Sequence, residues 1–539
     1  MSNKAYKFLD KFLLTTVCIL VLLFVFWPFL AVFIEGFKDS GVEEMLRIAS
    51  NSLFLIRNSL ILAVLSTLLT AVISLAIAIT VFYASKNMRK IIHALLLLSL
   101  ISPPFVGALS YINLFGRRGF ISYHVLGLST RPYGLYGLVL MQSFSFISLA
   151  ALILSSRVLE TDQSLIDSAR SLGANTNRQI RDVILPHLRS SLRVVMMLTF
   201  IRSLSDFTTP AIIGGRFSVL ATEAYLSYIT NQGNLKQASL LNLLLFIPAF
   251  IAFFFYIRSF RQLTSSSHGI SVSSIENRGK GLALNVARII SIFFTVWLVL
   301  QYGSIFVQAF AKYSKGKMSF TLDNWVETAP YIRGAFIRSI TYSLIASLGC
   351  TLIGFLIAYY LYMRKIKWMK AIDWIATMPY IVPGTFFGIG YILAFRSPPL
   401  KLTGSAAIVV LNMLFKTLPF AGKLGSGAVA AIDQNLPLIV QDLGGHPLRS
   451  FRDVLLPQAR KPLLLCFLNS FASGMTTIGS IIFLVYPGRK LATMVLFDVI
   501  QSGKHRVASV IAVVITLICV TLNYISFRIS ESREFSRGT

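Results

Sequence analysis

The chain has 539 residues, of which 55% are hydrophobic and only 13% are charged, and its mean hydropathy is +0.72. This composition excludes a soluble globular protein of this size and is typical of a polytopic membrane protein. A formal net charge of +29 would suggest nucleic-acid binding in a soluble protein, but here the basic residues lie mostly in short segments between apolar runs. We therefore expect a lipid bilayer, and no nucleic acid, as the partner of this charge.

Twelve apolar runs are each long enough to cross about 30 Å of hydrocarbon, which takes roughly 20 helical residues. The sequence therefore predicts an all-α polytopic membrane protein with about twelve transmembrane helices. The predicted spans are 12–34, 57–84, 91–115, 135–158, 193–213, 237–258, 285–311, 339–363, 371–395, 404–432, 462–486 and 506–528. The four cysteines lie far apart inside these runs and are interpreted as small buried hydrophobic residues.

The distribution of Lys and Arg predicts the orientation. When the N-terminus is placed in the cytoplasm, most of the basic residues fall in the inner segments between spans. Because Lys and Arg are retained on the cytoplasmic side, this arrangement is favoured over its inverse. We expect a multi-pass protein of the bacterial inner membrane with both termini in the cytoplasm.

A 25-residue polar segment occurs twice, at 162–186 and, 271 residues later, at 433–457, with 11 identical positions. Both copies lie between long apolar runs, so shared hydrophobic composition does not explain the match. A spaced internal repeat of this kind indicates duplicated architecture. The identical pairs are Asp162/Asp433, Gln163/Gln434, Leu165/Leu436, Leu172/Leu443, Gly173/Gly444, Arg178/Arg449, Arg181/Arg452, Asp182/Asp453, Val183/Val454, Leu185/Leu456 and Pro186/Pro457.

Each copy predicts the same local structure. An Asp at the start can accept the free amide protons of a helix N-terminus. The Gly that follows one or two turns later, Gly173 or Gly444, suits the left-handed residue that ends a helix. A second amphipathic segment with Arg on one face then runs to Leu-Pro. We expect a helix, a sharp turn and a second helix at the membrane surface. The alternative is a pair of ordinary loops.

This segment resembles the signature loop of the permease subunits of bacterial ABC importers. That pattern is Glu-Ala-Ala, three residues, Gly, nine residues and Ile-x-Leu-Pro, and it appears here as Asp167-Ser168-Ala169, Gly173 and 183–186. The second copy keeps Gly444 and 454–457 but departs at Leu438-Ile439-Val440. The resemblance implies a type I importer permease fold with two pseudo-symmetric six-helix halves, most similar to fused ferric-iron-type permeases. It also implies that these loops dock on ATPase subunits through Asp167, Ala169, Gly173, Pro186, Gly444 and Pro457.

The resemblance covers nearly the whole chain and predicts its division. Residues 1–263 form a first permease half with its core at 53–260, and residues 285–539 form a second half with its core at 335–528. Residues 264–284 are rich in Ser and are interpreted as a flexible cytoplasmic linker. The external loops are too short for a binding domain. The expected partners are therefore two copies of a cytoplasmic ABC ATPase and a separate extracytoplasmic solute-binding protein.

Catalytic motifs give no support for an enzyme. The chain has no G-x-x-x-x-G-K-[ST] phosphate-binding loop and no H-E-x-x-H zinc motif, and its six histidines are scattered. We expect no metal and no cofactor in this chain, with ATP and Mg bound by the partner ATPases.

Ionisable residues inside predicted spans mark a candidate substrate pathway. Arg202 and Asp206 are four residues apart in the fifth span, and Lys416 lies in the middle of the tenth. Charge at this depth is costly unless it is paired or hydrated, so it suggests function. The alternative is that Arg202 and Asp206 neutralise each other and merely fix helices. Pro103-Pro104 and Pro383-Gly384 also interrupt spans, either as part of a pathway wall or as tolerated kinks.

From the resemblance, we expect ferric iron as the cargo. A phosphorylated sugar, a phosphonate, thiamine and a polyamine are alternatives for the same machinery. A secondary transporter driven by an ion gradient is the rival from another class, since such folds also contain repeats. Two matching cytoplasmic docking loops argue against it, because a gradient-driven carrier has no use for them.

Overall fold

The fold is given by a computed structural model that describes residues 3–38, 41–100, 104–117, 119–127, 133–230, 234–265, 279–314, 317–433, 435–442, 444–486 and 488–531. The helices before residue 266 are α1 (Asn3–Val21), α2 (Trp27–Phe37), α3 (Gly41–Asn51), α4 (Leu53–Phe82), α5 (Lys86–Leu100), α6 (Pro104–Phe115), α7 (Leu135–Leu159), α8 (Gln163–Ser171), α9 (Thr176–Gln179), α10 (Leu185–Ser205), α11 (Thr208–Ile213), α12 (Leu220–Thr230) and α13 (Leu235–Ser265). Most of the predicted linker lies outside the described residues.

The helices after residue 278 repeat this pattern. They are α14 (Leu282–Phe310), α15 (Asp323–Ile332), α16 (Ala335–Ala358), α17 (Met369–Thr377), α18 (Gly384–Phe395), α19 (Ala406–Ala430), α20 (Asn435–Asp442), α21 (Pro447–Ser450), α22 (Leu456–Gln458), α23 (Arg460–Thr476), α24 (Ala492–Gln501) and α25 (His505–Glu531). Single π-helical turns occupy Leu22–Phe26, Phe120–Val125, Ile180–Ile184, Tyr359–Met363 and Phe451–Leu455, and a 3₁₀ turn occupies Met378–Tyr380. Strands β1 (Ala311–Ser314) and β2 (Lys317–Phe320) form an antiparallel hairpin with Ala311 opposite Phe320.

The predicted polytopic helical fold is confirmed. Among the described residues, nine helical segments are long and apolar enough to cross a membrane, and two bent helix pairs bring the number to eleven. The predicted span 462–486 corresponds to α23, which has only 17 residues and ends at Thr476. The chain continues there in turns rather than in helix.

Matching contacts show that the duplication extends beyond the signature loops. In the first half, the Ser59 hydroxyl accepts a hydrogen bond from the backbone N–H of Leu220 at 2.9 Å. In the second half, the Ser339 hydroxyl accepts one from the N–H of Ala492 at 2.8 Å. Each serine thus satisfies a free amide at the start of a short helix, α12 or α24. The preceding side chain, Asn58 or Arg338, donates to a nearby backbone carbonyl in both halves.

The first helix of each half packs on the other half. Helices α1 and α2 and the π-helical turn between them lie against α17, α18 and α19, while α14 lies against α4 and α6. The Tyr391 hydroxyl of α18 donates to the Phe24 carbonyl at 2.8 Å, and the Thr80 and Ser291 hydroxyls of α4 and α14 are 2.9 Å apart. The two predicted halves are thus contiguous in the sequence, but the first helix of each half packs on the other half.

Candidate functional site: a polar cavity between the halves and two surface loops

Both copies of the repeated segment form a helix, a turn and a second helix. Asp162 accepts a hydrogen bond from the Ser164 N–H, and Asp433 accepts one from the Asn435 N–H, each at 2.9 Å. The bond from the Ser164 backbone lowers the pKa of the Asp162 carboxyl. We call residues 162–186 loop one and residues 433–457 loop two.

The glycines of the two loops have the left-handed conformation that the sequence predicts. Gly173 has φ = +79° and Gly444 has φ = +76°, and within the described part of the chain, apart from the adjacent residues, no atom lies within 4 Å of where a Cβ would stand on either. The requirement for glycine therefore comes from the backbone and not from crowding. Pro186 and Pro457 both follow a π-helical turn, and Pro186 lies at the start of α10.

Loop one presents an exposed mixture of charge and apolar surface. Asp167 is exposed and pairs with Arg170 across one helical turn at 3.6 Å, and Ala169 is half-buried beside it. Leu172, next to the glycine, is 87% exposed. In loop two, Ile439 is 50% exposed at the position that matches Ser168.

The first helix of the opposite half contacts each loop. The N–H groups of Lys280 and Ala283, at the start of α14, donate to the side chains of Thr176 and Asn177 in loop one. Tyr6, near the start of α1, stacks on His446 of loop two, with ring centroids 6.1 Å apart. The Arg449 guanidinium lies over the same Tyr6 ring. Each loop is therefore held between its own half and a helix of the other.

A cavity of about 640 Å³ lies between the halves and brings together all three predicted pathway residues, Arg202, Asp206 and Lys416. Its wall also contains hydroxyl and amide side chains that were not among the predicted site residues. These are Ser99, Ser145, Ser205, Thr208, Thr209, Tyr256, Gln301, Tyr380, Thr417, Asn469, Ser470, Ser473, Thr476 and Thr477. Several of them are related by the 271-residue shift of the repeat, which could have found them: Arg202, Asp206 and Lys416 correspond to Ser473, Thr477 and Ser145.

Asp206 ends a helix rather than continuing it. Helix α10 stops at Ser205, and one oxygen of the Asp206 carboxylate accepts from the N–H groups of Thr208 and Thr209 at 3.0 and 3.2 Å. The other oxygen accepts from the Gln142 amide at 3.2 Å. Asp206 is thus the N-terminal cap of α11, and the predicted span 193–213 is broken at this residue. Thr477 ends α23 at the equivalent place without a carboxylate.

Arg202 does not pair with Asp206 among the described contacts. Its guanidinium faces the cavity and lies 6.0 Å from the centre of the Phe146 ring. The four-residue spacing predicted a common helical face, but the backbone turns away at Asp206 and carries the carboxylate towards α11. The alternative that the two charges simply neutralise each other is therefore not what the contacts show.

Lys416 binds the broken helix of the second half. Helix α17 and the 3₁₀ turn after it are bent by 115° relative to α18, at the predicted Pro383-Gly384 break. The Lys416 ammonium donates to the carbonyls of Pro379 and Val382 at 2.9 and 3.0 Å. A lysine at the middle of a transmembrane helix costs about 3 kcal/mol on insertion scales. Two hydrogen bonds from a charged donor, each contributing about 1.5–3 kcal/mol, are sufficient to offset that cost.

The corresponding break in the first half separates α5 from α6. Helix α5 ends at Leu100 and α6 begins at Pro104, in agreement with the predicted interruption, while residues 101–103 lie outside the described part of the chain. The position equivalent to Lys416 is Ser145, whose hydroxyl donates to the Met141 carbonyl of its own helix. The ammonium cap is therefore specific to the second half.

Comparison with known proteins agrees with this architecture. A family model described as binding-protein-dependent transport system inner membrane component matches residues 72–265, which contain loop one. The ferric transport system permease protein FbpB of Actinobacillus pleuropneumoniae is 27% identical over 96% of this chain and 78% of its own length. A protein of Haemophilus influenzae named for the same system is 29% identical over 88% of this chain and 78% of its own length.

A shorter relative matches less than half of the chain. A protein of Salmonella paratyphi A named as a 2-aminoethylphosphonate transport system permease is 24% identical over 43% of this chain and 88% of its own length. Proteins of this family form the membrane component of systems that also contain an ATPase and a binding protein. The duplicated helical halves, the two signature loops and these matches together show that the chain is similar to the membrane permeases of binding-protein-dependent ABC transport systems.

Proposed function

We propose that this permease forms the translocation pathway for ferric iron that a separate extracytoplasmic binding protein delivers. The observation that carries the proposal is the match to two ferric transport system permeases over 96% and 88% of the chain, including both halves. A cavity between the halves, lined by polar side chains from each, supports a route through the middle of the molecule.

Two ATPase subunits would drive this transport, one docked on each loop. The exposed Leu172 and Asp167 of loop one and Ile439 of loop two supply surface for such contacts, and the equivalent glycine turns present both loops in the same way. Docking through Asp167, Ala169, Gly173, Pro186, Gly444 and Pro457 remains a proposal carried over from the family pattern. We infer that the chain itself hydrolyses no ATP and that ATP and Mg bind to the ATPase subunits.

The orientation is part of this proposal. Both loops would face the cytoplasm, where ATP is, and both termini would lie on that side. The contact of Tyr6 with His446 supports a common side for the N-terminus and loop two. The distribution of Lys and Arg supports the cytoplasm as that side.

The pathway would pass Arg202, Asp206 and Lys416, because all three line the cavity. A phosphonate is the alternative cargo that a specific observation favours, since a relative that matches 43% of the chain is named for 2-aminoethylphosphonate transport. A phosphorylated sugar, thiamine and a polyamine remain alternatives from the family resemblance.

The test is iron uptake into proteoliposomes that contain the complete complex of permease and ATPase subunits. We expect uptake that requires ATP inside the vesicles, on the side of the ATPase subunits. It should also require the iron-loaded binding protein on the outside. Ionophores that collapse ion gradients should leave the rate unchanged. Uptake that needs a gradient and no ATP would show a secondary transporter instead. ATP-driven uptake of 2-aminoethylphosphonate without iron uptake would reassign the cargo.

A further inference from the structure

The charges of the cavity are not balanced. Among the described residues that line it, Arg202 and Lys416 are cationic, whereas Asp206 is the one carboxylate. A cavity lined by one dominant sign of charge within low-dielectric walls attracts ligands of the opposite sign. Whether each of these charged side chains can bind a ligand then depends on how many of its donors or acceptors are not already used within the protein.

The carboxylate of Asp206 is occupied by the protein. One oxygen accepts from the N–H groups of Thr208 and Thr209 and from the Thr208 hydroxyl at 2.6 Å, and the other accepts from the Gln142 amide. Three donors converge on the first oxygen, and the Gln142 amide takes one of the two acceptor sites of the second, so a single acceptor site is left. A cation held by both oxygens would therefore have to displace the donors that cap α11.

The Gln142 side chain is held just as firmly. Its amide oxygen accepts from the hydroxyls of Ser66 and Ser203, and both of these serines are buried. The network thus ties Asp206 to α4, α7 and α10 at once. Asp206 therefore has the geometry of a structural helix cap and not that of a preformed metal ligand.

The two cations keep donors for a ligand. Lys416 has three donors, and two of them go to the Pro379 and Val382 carbonyls. Arg202 has five donors in a planar fork, and its described contact is with the face of the Phe146 ring, which uses none of them. Such a guanidinium suits an oxyanion, which it can bind with two parallel hydrogen bonds.

We propose that the cavity binds an anionic face of its cargo, with Arg202 as the main contact and the surrounding hydroxyls as further donors. The ligand class is an oxyanion such as phosphate or a carboxylate, either alone or as the ligand shell of a ferric ion. Where the ion is iron, the inference rests on the proposed function: the ferric ion would cross this cavity together with anionic ligands and not as a bare trivalent cation beside two positive side chains.

The experiment uses the complete complex in proteoliposomes, with two radioactive labels. Labelled iron is supplied through the binding protein, with labelled phosphate in one series and labelled citrate in a parallel series. We expect one of the anions to enter with iron in a fixed ratio. Arg202→Gln should lower the entry of both labels by about tenfold, which is the loss expected for a charge-assisted hydrogen bond. Arg202→Lys keeps the charge without the fork and should fall between.

Arg258→Gln is the matched control. Arg258 is exposed on α13 and outside the cavity lining, so the same change in charge should leave uptake unaltered. Co-purification of the ATPase subunits with each variant shows that it is folded and assembled.

The possible results separate the two proposals. Iron entry without either anion, at a rate that Arg202→Gln does not change, would overturn the anionic cargo while leaving iron transport intact. Entry of phosphate or citrate without iron, and sensitive to Arg202→Gln, would support the anion site and overturn ferric iron as the cargo. A wild-type complex that imports none of the labels would contradict both.

Discussion

Lys416 shows how one side chain can both stabilise the fold and line the cavity. Its ammonium satisfies two carbonyls freed by the break before Gly384, and it also lines the cavity. The carbonyl end of a helix carries partial negative charge, so a cation is stabilised there. The break and the buried lysine, which the sequence showed as separate features, are parts of one arrangement.

We predict that Lys416→Met abolishes uptake in an assembled complex. The substitution removes the charge from the cavity wall and leaves the Pro379 and Val382 carbonyls without their donor, at a cost of about 1–3 kcal/mol for each unsatisfied group. Uptake and the thermal unfolding temperature should both fall, whereas Lys416→Arg should recover most of the stability. Lys423→Met is the control on the same helix, because Lys423 is exposed and pairs with Asp373 outside the cavity. Normal transport by Lys416→Met would show that the lysine has no part in the pathway.

The loop glycines permit a test of the docking proposal at single positions. A Cβ at Gly173 or Gly444 would meet no atom within 4 Å, so a substitution there acts through backbone strain, at about 1–2 kcal/mol for a left-handed residue. We predict that Gly173→Val and Gly444→Val each lower ATPase co-purification. Gly503→Val is matched in strain, with φ = +76° and no atom within 4 Å, but lies outside both loops and should not change it. Equal effects of all three would mean that general destabilisation is responsible.

At the scale of the helical element, the two loops have the same backbone plan and different chemistry. The second helix of loop one is capped by the Asn175 side chain, which accepts from the Arg178 N–H at 3.0 Å. In loop two the equivalent cap is the His446 ring, whose Nδ1 accepts from the Leu448 N–H at 3.2 Å. An imidazole can accept a hydrogen bond at Nδ1 only when that nitrogen is unprotonated.

We therefore predict that loop two, unlike loop one, is sensitive to acid. Burial lowers the pKa of His446, so the folded loop binds a proton less readily than the unfolded chain. The contribution of this cap to stability is complete above the ordinary histidine pKa of about 6.5 and is lost as the pH falls through the lowered value. Amide hydrogen exchange at Leu448 should accelerate on acidification relative to Arg178, after correction for intrinsic rates. His446→Asn, which copies the cap of loop one, should remove the difference. A persistent difference in His446→Asn would assign the acid sensitivity to another group.

The loops were predictable from the sequence, and the helix break at Asp206 was not. Polar residues repeated at one spacing between apolar runs are conspicuous, and a glycine between two amphipathic segments has few structural explanations. Arg202 and Asp206 also have the spacing of helical neighbours, but that spacing predicts a shared face only where the helix continues. Here α10 ends at Ser205, and the Asp206 carboxylate accepts hydrogen bonds from the Thr208 and Thr209 N–H groups instead of pairing with Arg202.

At the scale of the whole molecule, the exchange of first helices between the halves was also beyond the sequence. Hydropathy identifies an apolar helix but not the apolar surface that the helix will contact. That choice depends on close packing between the two surfaces, which a hydropathy pattern does not record. The structure adds specific partners: Asp10 of α1 forms an ion pair with Arg364 at 2.9 Å and accepts from the Tyr360 hydroxyl. At the other end, Glu35 of α2 pairs with Arg396 at 3.0 Å.

This exchange predicts that the covalent link between the halves is dispensable once α1 and α2 are in place. A relative that matches 43% of this chain over 88% of its own length indicates that a permease of about half this length can exist as a separate chain. We predict that fragments 1–270 and 271–539, produced together, co-purify in mild detergent. Deleting residues 3–37 from the first fragment should sharply lower the recovery of the second, because the contacts of α1 and α2 with α17, α18 and α19 are lost.

Two smaller changes make that test specific. Asp10→Ala combined with Glu35→Ala removes both ion pairs and leaves the apolar surface of α1 and α2, so recovery should fall by less than after the deletion. Some loss is expected, because Asp10 is buried and its removal leaves the Arg364 guanidinium and the Tyr360 hydroxyl without this acceptor. A loss as large as that from deleting both helices would assign the association to the ion pairs. Full recovery after the deletion would show that contacts between the remaining helices hold the halves together and that α1 and α2 only border the second half.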